Sequence, residues 1–284
     1  MQEADSETVL GDFSGVNVPY FNTRATFSER DGRFFVTTEN GSGELEEFEV
    51  THTFGVTPLQ QYLVDAPGGR KQALQFAWDA RLKDDGGQRW YHLYSDEYIG
   101  PDDPLHWTGR YFNWNTTCAE CHSTNLMPGY DIEGNWFNTT FSEISVGCEA
   151  CHGPGSRHIQ QAKNSSLDET NGLLVSFDDR TNAAWNMNPK TGIAERSAPH
   201  TETKEPEACG RCHARRSHLT TKYGYGKPLT DTHMPSLLEE NLYYADGRIQ
   251  DEVYVYGSFV QSKMYAAGVT CSDCHNPHSG ELRA

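Results

Sequence analysis

The chain has 284 residues, with 23 Lys and Arg against 40 Asp and Glu, for a formal net charge of −17. Such an acidic balance argues against nucleic acid and anionic membrane surfaces, and no apolar run approaches the roughly 20 residues of a spanning helix. Aliphatic content is low while aromatics reach 12%, which excludes a disordered composition and leaves part of the core to something other than aliphatic side chains.

In chain order, the acidic start MQEADSETVL carries no signal peptide, and residues 1–117 contain no Cys. This stretch reads as β-rich. The segments 25–30 and 33–38 flank Asp31-Gly32, a two-residue hairpin signal. Residues 46–54 alternate polar and apolar, as a half-buried strand does. Residues 72–78 are a further predicted strand after the Gly68-Gly69 turn, and residues 84–87 (Asp-Asp-Gly-Gly) mark a loop. Residues 88–114 then gather Trp90, Tyr91, Tyr94, Tyr98, Trp107, Tyr111, Phe112 and Trp114. These rings form either an ordinary core or the walls of a large flat apolar group. Beyond them, residues 160–208 are polar and predicted to hold little regular structure, and 252–267 is a predicted helix.

The eight cysteines decide the chemistry. They fall into four pairs, each followed by His: Cys118-Ala-Glu-Cys121-His122, Cys148-Glu-Ala-Cys151-His152, Cys209-Gly-Arg-Cys212-His213 and Cys271-Ser-Asp-Cys274-His275. With 8 Cys and 12 His, roughly 0.01 such motifs would arise by chance. Cys-x-x-Cys-His is the attachment signature of c-type haem: two thiols add to the porphyrin vinyl groups and the His gives its imidazole to the iron. A four-thiolate zinc site does not require His after every second Cys. A thioredoxin-like pair is expected once, beside a βαβ pattern, and disulfide frameworks belong to short chains. The expectation is four covalently attached haem c groups with iron, held by Cys118, Cys121, Cys148, Cys151, Cys209, Cys212, Cys271 and Cys274. Their proximal ligands are His122, His152, His213 and His275. Because haem c is attached outside the cytoplasm, the protein is expected to be periplasmic or extracellular.

Eight His lie outside the motifs, and four haems take at most four distal ligands. In falling order of preference the candidates are His158, His278, His233, His218, His106 and His92, with His52 and His200 behind them. The turn Gly153-Pro154-Gly155 reverses the chain after His152 and aims His158 toward a neighbouring haem. His278 follows its own proximal His275 too closely to cross its own ring. Met127, Met234 and Met264 are expected to fill gaps in the core rather than to ligate. Arg157, Arg211, Arg215 and Arg216 beside the motifs are either solvated or suited to haem propionates.

The segments around the motifs resemble a family of bacterial multihaem c-type cytochromes whose members often carry tetratricopeptide repeats downstream. Residues 112–126, 147–158, 209–216 and 271–278 carry the likeness, with residues 54–62 and 105–109 adding to it. More distantly the chain is similar to tetrahaem cytochromes that accept electrons from hydroxylamine oxidation. The resemblance implies closely stacked haems, mostly bis-His, one iron open to five-coordination, and a distal role for the His after the Gly-Pro-Gly turn. Family members usually have a further motif before the position of Met1 and more after Arg283. The chain is therefore expected to be an internal piece of a longer cytochrome.

These readings converge on an α+β chain. A β-rich, aromatic-rich segment, 1–114, packs on the haems, and a tetrahaem cytochrome c domain, 115–284, consists of short helices and long loops organised by haem. The expected function is one-electron transfer along closely spaced haems, with redox partner proteins that present a basic docking face, and other multihaem subunits as further partners. Two alternatives are a reductase or oxidase of a small nitrogen or sulfur compound at an open iron, and a structural subunit of a multihaem complex or filament.

Overall fold

A computed structural model describes residues 1–177, 183–198 and 204–283, which divide into two units, Met1–Gly147 and Cys148–Ala284. The first unit is built on nine antiparallel strands: β1 (Gln2–Glu3), β2 (Ser14–Tyr20), β3 (Thr23–Arg30), β4 (Arg33–Glu39), β5 (Leu45–Phe54), β6 (Leu59–Ala66), β7 (Arg70–Ala73), β8 (Phe76–Asp79) and β9 (Arg89–His92). Their order is β2-β3-β4-β5-β6-β8-β9, with β1 on β5 and β7 on β6. The end strands β2 and β9 approach one another, so the sheet curls into a near-barrel.

Local chemistry accounts for the register. Asp31 and Gly32 adopt positive φ, 53° and 73°, the geometry whose twist matches a two-residue hairpin. That turn pairs Phe27 with Val36 and aims Ala25, Phe27, Phe34 and Val36 inward. Residues 46–54 form most of β5 as expected. The predicted strand over 72–78 is instead two, β7 and β8, both paired with β6. The pairing register shifts by two residues across Leu74 and Gln75. Leu74 is fully buried there, and Gln75 Nε2 donates to the Leu105 carbonyl at 2.7 Å. The alternation rule has no term for such an inserted pair.

The core inside the sheet is aromatic. Trp90 stacks on Phe27 at 3.6 Å and 6°, and Phe13 meets Phe27, Phe34, Tyr62 and Trp90 edge-on at 5.1–5.4 Å. Trp90 Nε1 donates to the Asp12 carbonyl at 2.9 Å, and Trp107 Nε1 to that of Glu39 at 2.7 Å. For these two rings the protein-core alternative holds: both indole N–H groups find backbone acceptors of this unit, and both rings close its aromatic cluster.

After the sheet come helices α1 (Trp114–Thr117) and α2 (Ala119–His122) and the small hairpin β10 (Tyr130–Asp131) and β11 (Trp136–Phe137). The second unit is a string of short elements: α3 (Cys148–His152), α4 (Ser156–Lys163), β12 (Trp185–Met187), β13 (Ala194–Arg196), α5 (Lys204–His213), β14 (Arg216–His218), β15 (His233–Pro235), α6 (Tyr256–Val260), α7 (Lys263–Ala266) and α8 (Cys271–Cys274). The predicted helix over 252–267 is two short turns. They separate at Ser262, whose side chain caps α7 by accepting the Tyr265 N–H at 3.1 Å.

The two units differ in what they bury. Both apolar clusters belong to the first. Among the described residues of the second, the buried apolar side chains are Val175, Ala214, Leu229, Tyr243 and Val253, while Leu174, Leu237, Met234 and Met264 are more than half exposed. Met127 in the first unit is also exposed, so these three Met do not fill the core. Among the described residues no helix is long and apolar enough to cross a membrane.

Candidate haem-attachment sites

Each of the four motifs sits on a short helix. The first lies in the first unit, with Cys118 between α1 and α2 and Ala119 to His122 forming α2. Side-chain amides moor it to the sheet. Asn113 Nδ2 donates to Gln72 Oε1 at 3.0 Å. Asn115 Oδ1 accepts the Lys71 N–H at 2.8 Å, and its Nδ2 donates to Thr139 Oγ1 at 2.8 Å. Trp114 is fully buried beside Cys118 and Ala119, and its Nε1 has no hydrogen-bond partner. Phe54 meets the His122 ring edge-on at 5.8 Å.

The other three motifs lie in the second unit, on α3, α5 and α8, and their cysteines converge. None of the eight motif cysteines is joined in a disulfide. Those of Cys209 and Cys271 hydrogen-bond to one another, which together with burial holds Cys209 far above the usual thiol range. Burial pushes Cys151 up, and the nearby Arg211 guanidinium opposes it.

Helix α5 holds the group together. Its buried Glu205 accepts both the backbone N–H and, at 2.8 Å, the hydroxyl of Ser272 in the fourth motif. Its buried Arg211 donates to the Ala150 carbonyl in the second motif at 3.2 Å and lies over the Tyr223 ring at 4.1 Å. Glu207 accepts the Leu229 N–H at 2.6 Å. Helix α8 is closed by a capping box between Thr270 and Asp273. The sequence alone pointed to no role for Glu205, because its partner lies in another motif.

The histidines separate into groups. His152 Nδ1 donates to the Val175 carbonyl at 2.8 Å, which fixes the proton on Nδ1 and leaves the lone pair on Nε2. The His278 ring lies 6.1 Å from it at an interplanar angle of 15°. Two imidazoles trans on one metal, each about 2 Å from it through nitrogen, have ring centres roughly 6 Å apart. The centre-to-centre distance of His152 and His278 matches that length. His158 on α4 is held in the same way, with Nδ1 against the Asn171 carbonyl at 2.6 Å. His213 ends α5 and His275 follows α8, both exposed.

Other candidates are placed differently. His218 and His233 face each other across β14 and β15 with ring centres 4.9 Å apart, too close for opposite sides of one iron. His92 is buried in the first unit, stacked on Tyr20 at 3.5 Å, with Nδ1 3.1 Å from the Tyr94 N–H. Burial lowers its pKa to about 4. His106 is buried too, its Nδ1 2.8 Å from Thr108 Oγ1. His52 sits on β5 with Nδ1 3.0 Å from Thr51 Oγ1. His200 lies outside the described residues. Arg157 pairs with Asp168 and Arg215 with Asp251, while Arg216 Nε donates to the Arg211 carbonyl at 2.7 Å.

Residues 106–153, which hold the first two motifs, match the model of a family described as cytochrome c554 and c-prime. The match supports a c-type cytochrome. Covalently bound haem c, iron and electron transfer come with that support. No curated protein and no solved structure matches the chain. The donor set agrees with that group on independent grounds: paired thiols one helical turn apart, imidazoles with Nδ1 satisfied, and a second unit with little apolar core of its own.

Proposed function

We propose that the chain is a tetrahaem c-type cytochrome that passes electrons singly between closely spaced, mostly bis-His haems. Cys118, Cys121, Cys148, Cys151, Cys209, Cys212, Cys271 and Cys274 hold the four macrocycles, and His122, His152, His213 and His275 are the proximal ligands. Each haem supplies a one-electron ferric/ferrous couple. The observation that carries the reading is the near-parallel pair His152 and His278 at 6.1 Å. It supports His278 as distal ligand of the second haem, as expected for a His too near its own motif to cross its own ring.

The chain's residues do the rest. The Val175 and Asn171 carbonyls orient His152 and His158, and strengthen each imidazole as a donor. His158 faces a neighbouring haem as distal ligand. The adjacency of Cys209 and Cys271 brings the third and fourth attachment points together, which favours fast exchange between them. Bis-His ligation favours low potentials within the range that axial ligands set. The charge of −17 steers a basic redox partner, and haem attachment implies a periplasmic or extracellular setting.

The ligand pair is tested by electron paramagnetic resonance of the oxidised holoprotein. In His278→Ala, one haem per chain is expected to pass from low-spin to high-spin ferric. An unchanged low-spin spectrum would rule out His278 as a ligand.

A further inference from the structure

Helix α5 carries two oppositely charged side chains that are each 7% exposed, Glu205 and Arg211. They lie six residues apart, roughly 9 Å along the helix. Each reaches a different neighbouring motif: Glu205 holds Ser272, between the two cysteines of the fourth, and Arg211 holds Ala150, between the two cysteines of the second. Arg211 itself occupies the variable pair of the third motif. A surface ion would be screened by water, whereas a buried one acts on a nearby redox centre in a medium of low dielectric. A cation stabilises the reduced, electron-rich iron and an anion stabilises the oxidised one.

We propose that Arg211 and Glu205 are positioning residues that set the haem potentials apart, raising those of the second and third haems and lowering that of the fourth, so that electrons run from the fourth site toward the second. The inference rests on the tetrahaem reading above. Hydrogen bonding alone does not require opposite charges at the two junctions: a neutral amide would make either contact. Nearby on the same helix Glu207 accepts the Leu229 N–H, and Arg216 Nε donates to the Arg211 carbonyl.

The test is a spectroelectrochemical titration of the full chain, after haem counting by the pyridine haemochrome assay. With four haems retained, Arg211→Gln is expected to lower at least one midpoint and raise none. Glu205→Gln, which keeps size and an acceptor, is expected to raise at least one and lower none. Each shift should be about tenfold in the oxidised-to-reduced ratio, or ~59 mV for one electron. Midpoints that stay in place, or move the opposite way, with four haems present overturn the inference and leave the tetrahaem reading intact. A wild-type chain without covalent haem would overturn both. Should Arg211→Gln lose haem, Arg211→Lys decides: with the charge kept, its midpoints should match wild type, and a tenfold fall would contradict a role for the charge.

Discussion

His92 illustrates how a single side chain couples the first unit to pH. Its imidazole is stacked on Tyr20, near His106, and burial holds its pKa at about 4 against an ordinary 6.5. The native ring therefore refuses a proton that the unfolded chain accepts below pH 6.5. The stability it contributes is complete above pH 6.5 and is lost as the pH falls toward 4, because the unfolded state then binds more protons. His92→Gln is expected to flatten the fall of the thermal midpoint between pH 6.5 and 4 without abolishing it, since His52 is also held at about 4 by burial and by Lys71. An equally steep fall in the variant would show that His92 contributes nothing. At this scale the sequence was most informative where chemistry is local. The motif cysteines and their following His are legible because attachment demands a fixed spacing. The approach of His278 to His152 is not, because it depends on how α3 and α8 are brought together by α5, and no local rule contains Glu205 or Arg211 as the means.

Short elements turn on single backbone positions, and the reversal after α3 is one of them. Gly153 has φ of +75°, and a Cβ there would meet Leu174 side-chain atoms at 3.0 and 3.2 Å. The same turn is tied by the Gly155 N–H donating to Glu149 at 2.7 Å. Gly153→Ala is expected to cost about 1 kcal/mol or more, seen as a lowered thermal midpoint of the holoprotein; an unchanged midpoint would mean that the turn relaxes freely. The Asp31-Gly32 hairpin was legible from two residues, because positive φ at both positions selects one turn type. The segments 72–78 and 252–267 are each divided, for opposite reasons. The first is interrupted by two residues that the sheet absorbs, and the second by a serine that starts a new helical turn.

At the scale of the whole chain, the low aliphatic content acquires a location. The first unit encloses an aromatic core of its own, and rings such as Trp90 and Trp107 that seemed available to a cofactor are used there. In the second unit the apolar residues stay largely outside, around helices that present paired thiols and oriented imidazoles. A composition averaged over 284 residues could not show this contrast. Haem propionates on the proposed macrocycles would add to the charge of −17. The proposed macrocycles would supply the second unit with the apolar surface that its own side chains lack. The most direct measurement is the pyridine haemochrome stoichiometry of the full chain matured with a haem c attachment system: the account predicts four covalent haems per chain, and two or fewer would contradict it.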